Sequence, residues 1–147
     1  MTFKKMILTI LALAAFLALS SANAADLEEY DFDGNFKMDV PAGCEFENEN
    51  SFFGIDIGPT KVYHNREDNI NISFAGYIND EQCFSDMIKT IKEEPNVNMT
   101  QKGDLYLIKT EKFNIVLFKK DHKIVSISSA DLDFKTLMKM ADSVKLN

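Results

Sequence analysis

The stretch Asn69–Glu94, NINISFAGYINDEQCFSDMIKTIKEE, changes its hydrophobic period part-way along and thereby decides the fold class. Up to Ile78, isoleucine and phenylalanine alternate with polar residues, which is the pattern of a strand with one buried face. Beyond Asp80 the apolar residues recur every three or four positions, which predicts an amphipathic helix that ends before Pro95. The apolar residues of this helix are Phe84, Met87, Ile88 and Ile91. A strand is therefore followed directly by a helix that can pack on it.

The rest of the chain repeats this order of strands followed by a helix. Upstream, FKMDV at Phe36–Val40 alternates in the same way and is stopped by Pro41. Downstream, a hairpin is expected around the KDH that precedes Lys123, and a last helix is expected to begin after Asp133 as its cap. The other predicted strands are Ser51–Ile57, Lys61–Asn65, Asp104–Glu111, Lys112–Lys119 and Lys123–Ser129. This order predicts an α+β fold, with a mainly antiparallel sheet of about six strands and two packed helices.

The first residues have the features of a secretory signal. Lys4 and Lys5 are followed by the uncharged run Met6–Leu19 and then by the small-x-small sequence Ala22–Ala24. The run is shorter than the roughly 20 apolar residues that span a bilayer, so we expect residues 1–24 to be a cleaved signal peptide rather than a retained anchor. The protein is then secreted or lies on the exterior of the cell envelope, with no transmembrane segment after cleavage.

The charge of the chain is strongly acidic. Among 147 residues there are 23 Asp and Glu against 16 Lys and Arg, which gives a net charge of -7. Residues 25–35 are the most acidic stretch and have little apolar periodicity, so we expect a frayed acidic lead. Residues 36–147 then form a single domain of ordinary size. Because this charge repels phosphates, we predict no nucleic acid partner and no binding to anionic lipid.

The stretch DFDGNFKMDVPAGC at Asp31–Cys44 begins like a calcium loop, with Asp31, Asp33 and Asn35 at alternate positions. An EF-hand loop needs glycine at its sixth position and a bidentate glutamate at its twelfth. The sixth position is Phe36, the glycine lies two positions earlier, at Gly34, and the twelfth position is Ala42. The stretch is better explained as a turn at Asp33-Gly34 that leads into the strand, and we predict no specific metal site.

Two cysteines, Cys44 and Cys83, follow the predicted signal. Exported proteins usually pair their thiols, so a disulfide between these two residues is the first interpretation, with two buried free thiols as the second. Such a bond closes a loop of about 40 residues and contributes about 4 kcal/mol on a chain-entropy estimate. Thiol chemistry is the third and least favoured interpretation, because neither cysteine lies in a C-x-x-C spacing or beside a histidine.

The two histidines, two N-glycosylation sequons and one pair of phenylalanines are weaker candidates for a functional site. His64 and His122 are the only histidines, and neither has a second ligand or nucleophile at a motif spacing, so we predict no catalytic residues and no cofactor site. Asn71 and Asn98 begin N-x-S/T sequons, which are acceptors for N-glycans where the host has the machinery. The adjacent Phe52 and Phe53 form a candidate contact patch if they are exposed.

Two segments resemble the PsbP-like family of small exported α+β domains. FKMDVPAGC at Phe36–Cys44 is similar to the opening strand of that family, in which apolar alternation runs into Val-Pro-x-Gly and an aromatic residue. Cys44 stands at the place of that aromatic residue. LMKMADSVKL at Leu137–Leu146 is similar to the closing helix. The resemblance implies a central antiparallel sheet with helices on both faces, in domains that bind or assemble with other proteins and supply no active-site residues.

We therefore expect an exported, non-catalytic domain that acts by binding a protein or an envelope ligand, with an unidentified extracellular or envelope protein as its partner. One alternative is an exported hydrolase or thiol-redox enzyme that uses Cys44, Cys83, His64 or His122. Another is a weak divalent-cation binder built from the acidic lead and the EFENE segment. The acidic residues of that segment are Glu45, Glu47 and Glu49.

Overall fold

The computed structural model describes residues 26–49, 60–67, 69–76 and 80–147, and these form ten strands and two helices. The helices are α1 (Asp80–Glu93) and α2 (Phe134–Asp142). The strands are β1 (Leu27–Phe32), β2 (Phe36–Pro41), β3 (Glu47–Glu49), β4 (Thr60–Asn65), β5 (Ile70–Gly76), β6 (Asn98–Lys102), β7 (Leu105–Lys109), β8 (Asn114–Lys120), β9 (Lys123–Ser129) and β10 (Lys145–Leu146). The α+β prediction is confirmed, although about six strands was too few. The predicted signal at 1–24, the strand Ser51–Ile57 and the Phe52-Phe53 patch lie outside the described residues.

Seven of the strands form one antiparallel sheet in the order β3-β4-β5-β9-β8-β7-β6. The strand predicted around Ile72 is β5, and Ile72 lies opposite Ile127 on β9. The hairpin predicted at KDH joins β8 to β9 through the two loop residues Asp121 and His122. Their φ angles are 45° and 64°, which is the type I′ geometry that suits the twist of a two-residue hairpin.

The other three strands form a small antiparallel sheet in the order β1-β2-β10. The expectation of a frayed lead was wrong for Leu27–Phe32, which is β1. The charges of this segment point to solvent, whereas Phe32 is fully buried and stacks on Phe36 with ring centroids 4.5 Å apart. The turn predicted at Asp33-Gly34 joins β1 to β2, and the Asp31 carboxylate accepts the Gly34 N–H at 2.7 Å.

The main core lies between the small sheet, α2 and one face of the large sheet. The alternation predicted for β2 is confirmed, because its three apolar side chains are fully buried and the residues between them are half-buried. The fully buried side chains of this core are Phe32, Phe36, Met38, Val40, Ile70, Ile72, Val116, Val125, Ile127, Leu137, Met140 and Val144. These residues stabilise the fold by removing apolar surface from water.

The two ends of α2 are fixed by side-chain hydrogen bonds. Asp133 is the predicted N-cap, and its carboxylate accepts the Thr136 N–H at 2.8 Å. At the other end the Ser143 hydroxyl donates to the Met140 carbonyl and accepts the Asp39 N–H at 2.8 Å. Lys145 of β10 pairs with Lys37 of β2. Asp39 lies two residues further along β2, beyond the start of β10, so its outward N–H needs another acceptor. The serine side chain supplies that acceptor just before β10 begins.

The opposite face of the large sheet is covered by α1. The predicted apolar face of this helix packs on β7, β8 and β9, where Ile108, Leu117 and Ile124 are buried. The helix ends at Glu93, two residues before Pro95, as its sequence predicts. No helix within the described ranges has the length and the apolar character that a membrane crossing requires.

Candidate binding groove

A groove runs between α1 and the strands below it, with a volume of about 410 Å³. The helix reaches the sheet through Phe84, whose ring meets that of Tyr106 on β7 edge to face with centroids 5.7 Å apart. Ile88 follows one turn later and is buried. The full lining is Glu81, Phe84, Ser85, Ile88, Lys89 and Lys92 from the helix and Tyr106 and Lys119 from the sheet. The groove therefore has an apolar floor with aromatic rings and a polar rim.

The rim of the groove carries a local excess of positive charge. It contains three lysines, Lys89, Lys92 and Lys119, and one acidic residue, Glu81. Lys119 lies 4.0 Å from the Glu81 carboxylate, whose side chain is 90% exposed, so this ion pair is weak. A chain with a net charge of -7 thus presents a basic rim at this place. An anionic group is attracted here although the protein as a whole repels it.

A second groove, of about 420 Å³, lies where the small sheet meets the β8–β9 hairpin. Its charged residues are Asp121 and Lys123, which balance each other, and no aromatic side chain lines it. The residues that line it are Gly34, Asn35, Asp121, Lys123, Leu146 and Asn147. It offers neither a selective charge nor an apolar slot, so the groove under α1 is the stronger candidate site.

The two cysteines do not form a disulfide bond in the structure. Cys44 is buried in the core between the two sheets. Cys83 is exposed in the first turns of α1, which packs on the other face of the large sheet. The sequence indicates a favourable loop length but carries no information about which face of the sheet each thiol occupies. The structure therefore separates the two residues that the favoured interpretation joined.

The two histidines also lie apart. His64 is on β4, and its Nδ1 lies 2.6 Å from the Asn71 side-chain oxygen on the neighbouring strand. Since an amide oxygen only accepts, His64 donates through Nδ1 in this contact. His122 occupies the β8–β9 loop and is exposed. Neither histidine lies in the groove under α1, so the four residues of the enzymatic alternative do not converge on one site.

The polar residues of the apparent calcium loop are engaged in holding the turn. Asp31 caps Gly34, the Asn48 amide donates to Asp33 at 3.4 Å, and the Asn35 amide donates to the Tyr63 hydroxyl at 3.2 Å. Within the part of the chain that the structure describes, no group of three or more His, Cys, Asp or Glu side chains is placed to hold a metal ion. Of the EFENE segment, Glu47 pairs with Arg66 at 3.5 Å.

Among the residues that the structure describes, the groups with shifted pKa values lie in the small sheet or contact it. Burial raises the pKa of the Tyr63 phenol, which donates to the Phe32 carbonyl. A 2.8 Å hydrogen bond from Lys145 lowers the pKa of Glu29, and the same bond raises the pKa of Lys145. The contacts that accompany these shifts hold β1 and β10 to the rest of the fold. The shifted pKa values therefore reflect structural contacts rather than a catalytic site.

The two sequons occupy different settings. Asn71 lies on the inner strand β5 and is half-buried against His64. Asn98 is exposed at the start of the edge strand β6. The alternation of β5 thus accounts for Asn71 without a sugar, whereas Asn98 alone of the two sequon asparagines is exposed.

Comparison of the chain with models of known protein families and with curated proteins gave no match. The groove itself was missed by reasoning from the sequence. A signal was present, since Ser85, Lys89 and Lys92 follow one another at helical spacing on the polar flank of an amphipathic helix. The sequence does not say which strands lie under that flank, so it could not add Tyr106 and Lys119 to the set.

Proposed function

We propose that this protein is an exported, non-catalytic domain on the cell exterior or in the envelope, and that it binds a partner protein through the groove under α1. The observation that carries the proposal is the composition of that groove, with the Phe84 and Tyr106 rings at its floor and three lysines at its rim. Aromatic side chains in a concave surface with a polar rim are typical of binding sites.

Two further observations support the proposal. The thiols and imidazoles that an enzyme would use lie on different elements, as Cys44 and Cys83 are on opposite faces of the large sheet. The arrangement of a sheet with a helix on each face is also the one that the PsbP-like resemblance implies, and we retain that family relationship as part of the proposal. Fold alone does not specify function, so the groove carries the argument.

The experiment is to block the groove without changing its charge. We expect Ser85→Trp to fill it, because Ser85 is exposed on the helix and lines the groove. Thr90→Trp is the matched control, since Thr90 is exposed on the same helix and is not part of the lining. Immobilised wild-type protein and the control should capture the same partner from a solubilised envelope fraction, and Ser85→Trp should not.

Two results would overturn the proposal. One is capture that Ser85→Trp leaves unchanged. The other is turnover of a substrate that is lost on Cys→Ser substitution at Cys44 or Cys83, or on His→Ala substitution at His64 or His122. The second result would establish the enzymatic alternative instead.

A further inference from the structure

We infer that the groove under α1 binds an acidic segment of the partner protein that also carries an aromatic or other apolar side chain. The inference rests on the proposed function, and it adds the chemical class of the bound segment. Three features of the groove carry it: the placement of its lysines, the apolar floor that its aromatic rings form, and the contrast between its charge and that of the whole chain.

The lysines lie on both sides of the groove and are available to a ligand. Lys89 and Lys92 are three residues apart on α1, so their side chains lie next to each other on one flank of the helix. Both are exposed, and neither is in an ion pair with any residue that the structure describes. Lys119 faces them from β8, and an incoming carboxylate can replace its weak contact with Glu81. Carboxylates spaced along a peptide can pair with these ammonium groups.

The floor of the groove provides an apolar surface beside these lysines. Phe84 and Tyr106 are both half-buried, so each ring keeps part of its surface open to a ligand. Their edge-to-face contact fixes the two rings relative to each other, and Ile88 is buried beside them. A third ring can add to this pair in an offset or edge-on arrangement. This apolar floor therefore favours a segment with an apolar side chain among its acidic residues.

The charge of the chain distinguishes a short acidic segment from larger anions. With a net charge of -7, the protein repels an extended polyanion or an anionic membrane over a large area. At physiological salt this repulsion is screened beyond about 8 Å, whereas the lysines contact a bound carboxylate directly. A short segment can occupy the basic rim without bringing further negative charge near the acidic surfaces. A protein segment thus fits the groove better than a lipid surface does.

The test uses three labelled peptides and fluorescence anisotropy. The first has two glutamates on each side of a phenylalanine, the second replaces the glutamates with glutamine, and the third replaces the phenylalanine with alanine. We expect the first peptide to bind at least about tenfold more tightly than either of the others, with an affinity that falls as salt is added. Vesicles containing an anionic lipid are a fourth probe and should not bind.

The variants assign the binding to the groove. Lys89→Glu combined with Lys92→Glu should weaken binding of the first peptide at least about tenfold. Lys135→Glu combined with Lys139→Glu is the matched control, because these exposed lysines lie on α2 and the change in net charge is the same. Circular dichroism should show the same fold for the wild type, the groove double variant and the control double variant.

The inference is overturned if the glutamine peptide binds as tightly as the glutamate peptide, if the control pair weakens binding equally, or if vesicles bind through the groove lysines while the peptides do not. In those cases Ser85→Trp still decides the proposed function. If Ser85→Trp abolished partner capture while the protein with Lys89→Glu and Lys92→Glu still captured the partner, the groove would be a binding site that does not select acidic segments.

Discussion

The hydrogen bond between Ser143 and Asp39 provides a specific test of how β2 is joined to the segment between α2 and β10. Ser143→Ala removes the acceptor of a half-buried strand N–H, and nothing else in the alanine side chain replaces it. The lost hydrogen bond costs about 1 kcal/mol, and leaving the Asp39 N–H without its acceptor costs about 1 kcal/mol more. We therefore expect the variant to be destabilised by about 2 kcal/mol, which for a domain of this size lowers Tm by about 6 °C.

The assay is urea unfolding followed by circular dichroism, with thermal unfolding as a second measurement. Thr90→Ala is the control, because the Thr90 hydroxyl is exposed and donates only to the Asp86 carbonyl within its own helix. That change should be neutral or slightly stabilising, since alanine is the better helix former. The reasoning would be refuted if Ser143→Ala unfolded within about 0.3 kcal/mol of the wild type, below the range for such bonds, or if the control lost as much stability.

Three further predictions concern the core, the pH dependence and the thiols. Phe36→Ala removes a fully buried ring that stacks on Phe32, so it should lose about 3 to 5 kcal/mol in urea unfolding, and a loss below about 1 kcal/mol would contradict the packing described here. The bond to Lys145 holds the pKa of Glu29 below its ordinary value of 4.5. The pair therefore stabilises the fold at pH values above 4.5, and this contribution disappears as the pH falls through the lowered pKa. Glu29→Gln should accordingly unfold at a lower urea concentration than the wild type at neutral pH and low salt, but at the same concentration in strong acid; a difference that persists in acid would contradict this reasoning. Finally, a thiol reagent should modify Cys83 at once and Cys44 only after unfolding, and a native protein in which neither thiol reacts would restore the disulfide.

Much of the fold follows from periodicity. The strands around Ile72 and Val40 and the helix at α1 were predicted because each buries one face of a regular element, and the pattern of apolar residues reports this directly. The cap of α2 at Asp133 followed from local chemistry, as its side chain satisfies an N–H three residues later. These signals lie within a few residues of each other, so a single sequence suffices to read them.

The missed features depend on contacts between distant residues. The segment at β1 was predicted to fray because Glu28, Glu29 and Asp31 dominate its composition, yet burial of Phe32 against Phe36 outweighs those exposed charges. β10 has only two residues and exists because β2 offers an edge to it. The groove and the separation of the cysteines follow from which face of the sheet each helix covers, and no local pattern encodes that choice.

The joining of β2 to the last part of the chain also has a consequence for the order of folding. The bonds from Ser143 to Asp39 and from Lys145 to Glu29 span 104 and 116 positions. At ribosomal speeds of roughly 5 to 20 residues per second, the partners of β2 emerge about 5 to 20 s after it does. During that interval the β1–β2 hairpin lacks its third strand and the core that covers Phe32 and Phe36. The small sheet is therefore completed late, because its third strand has to find β2 across a long sequence separation.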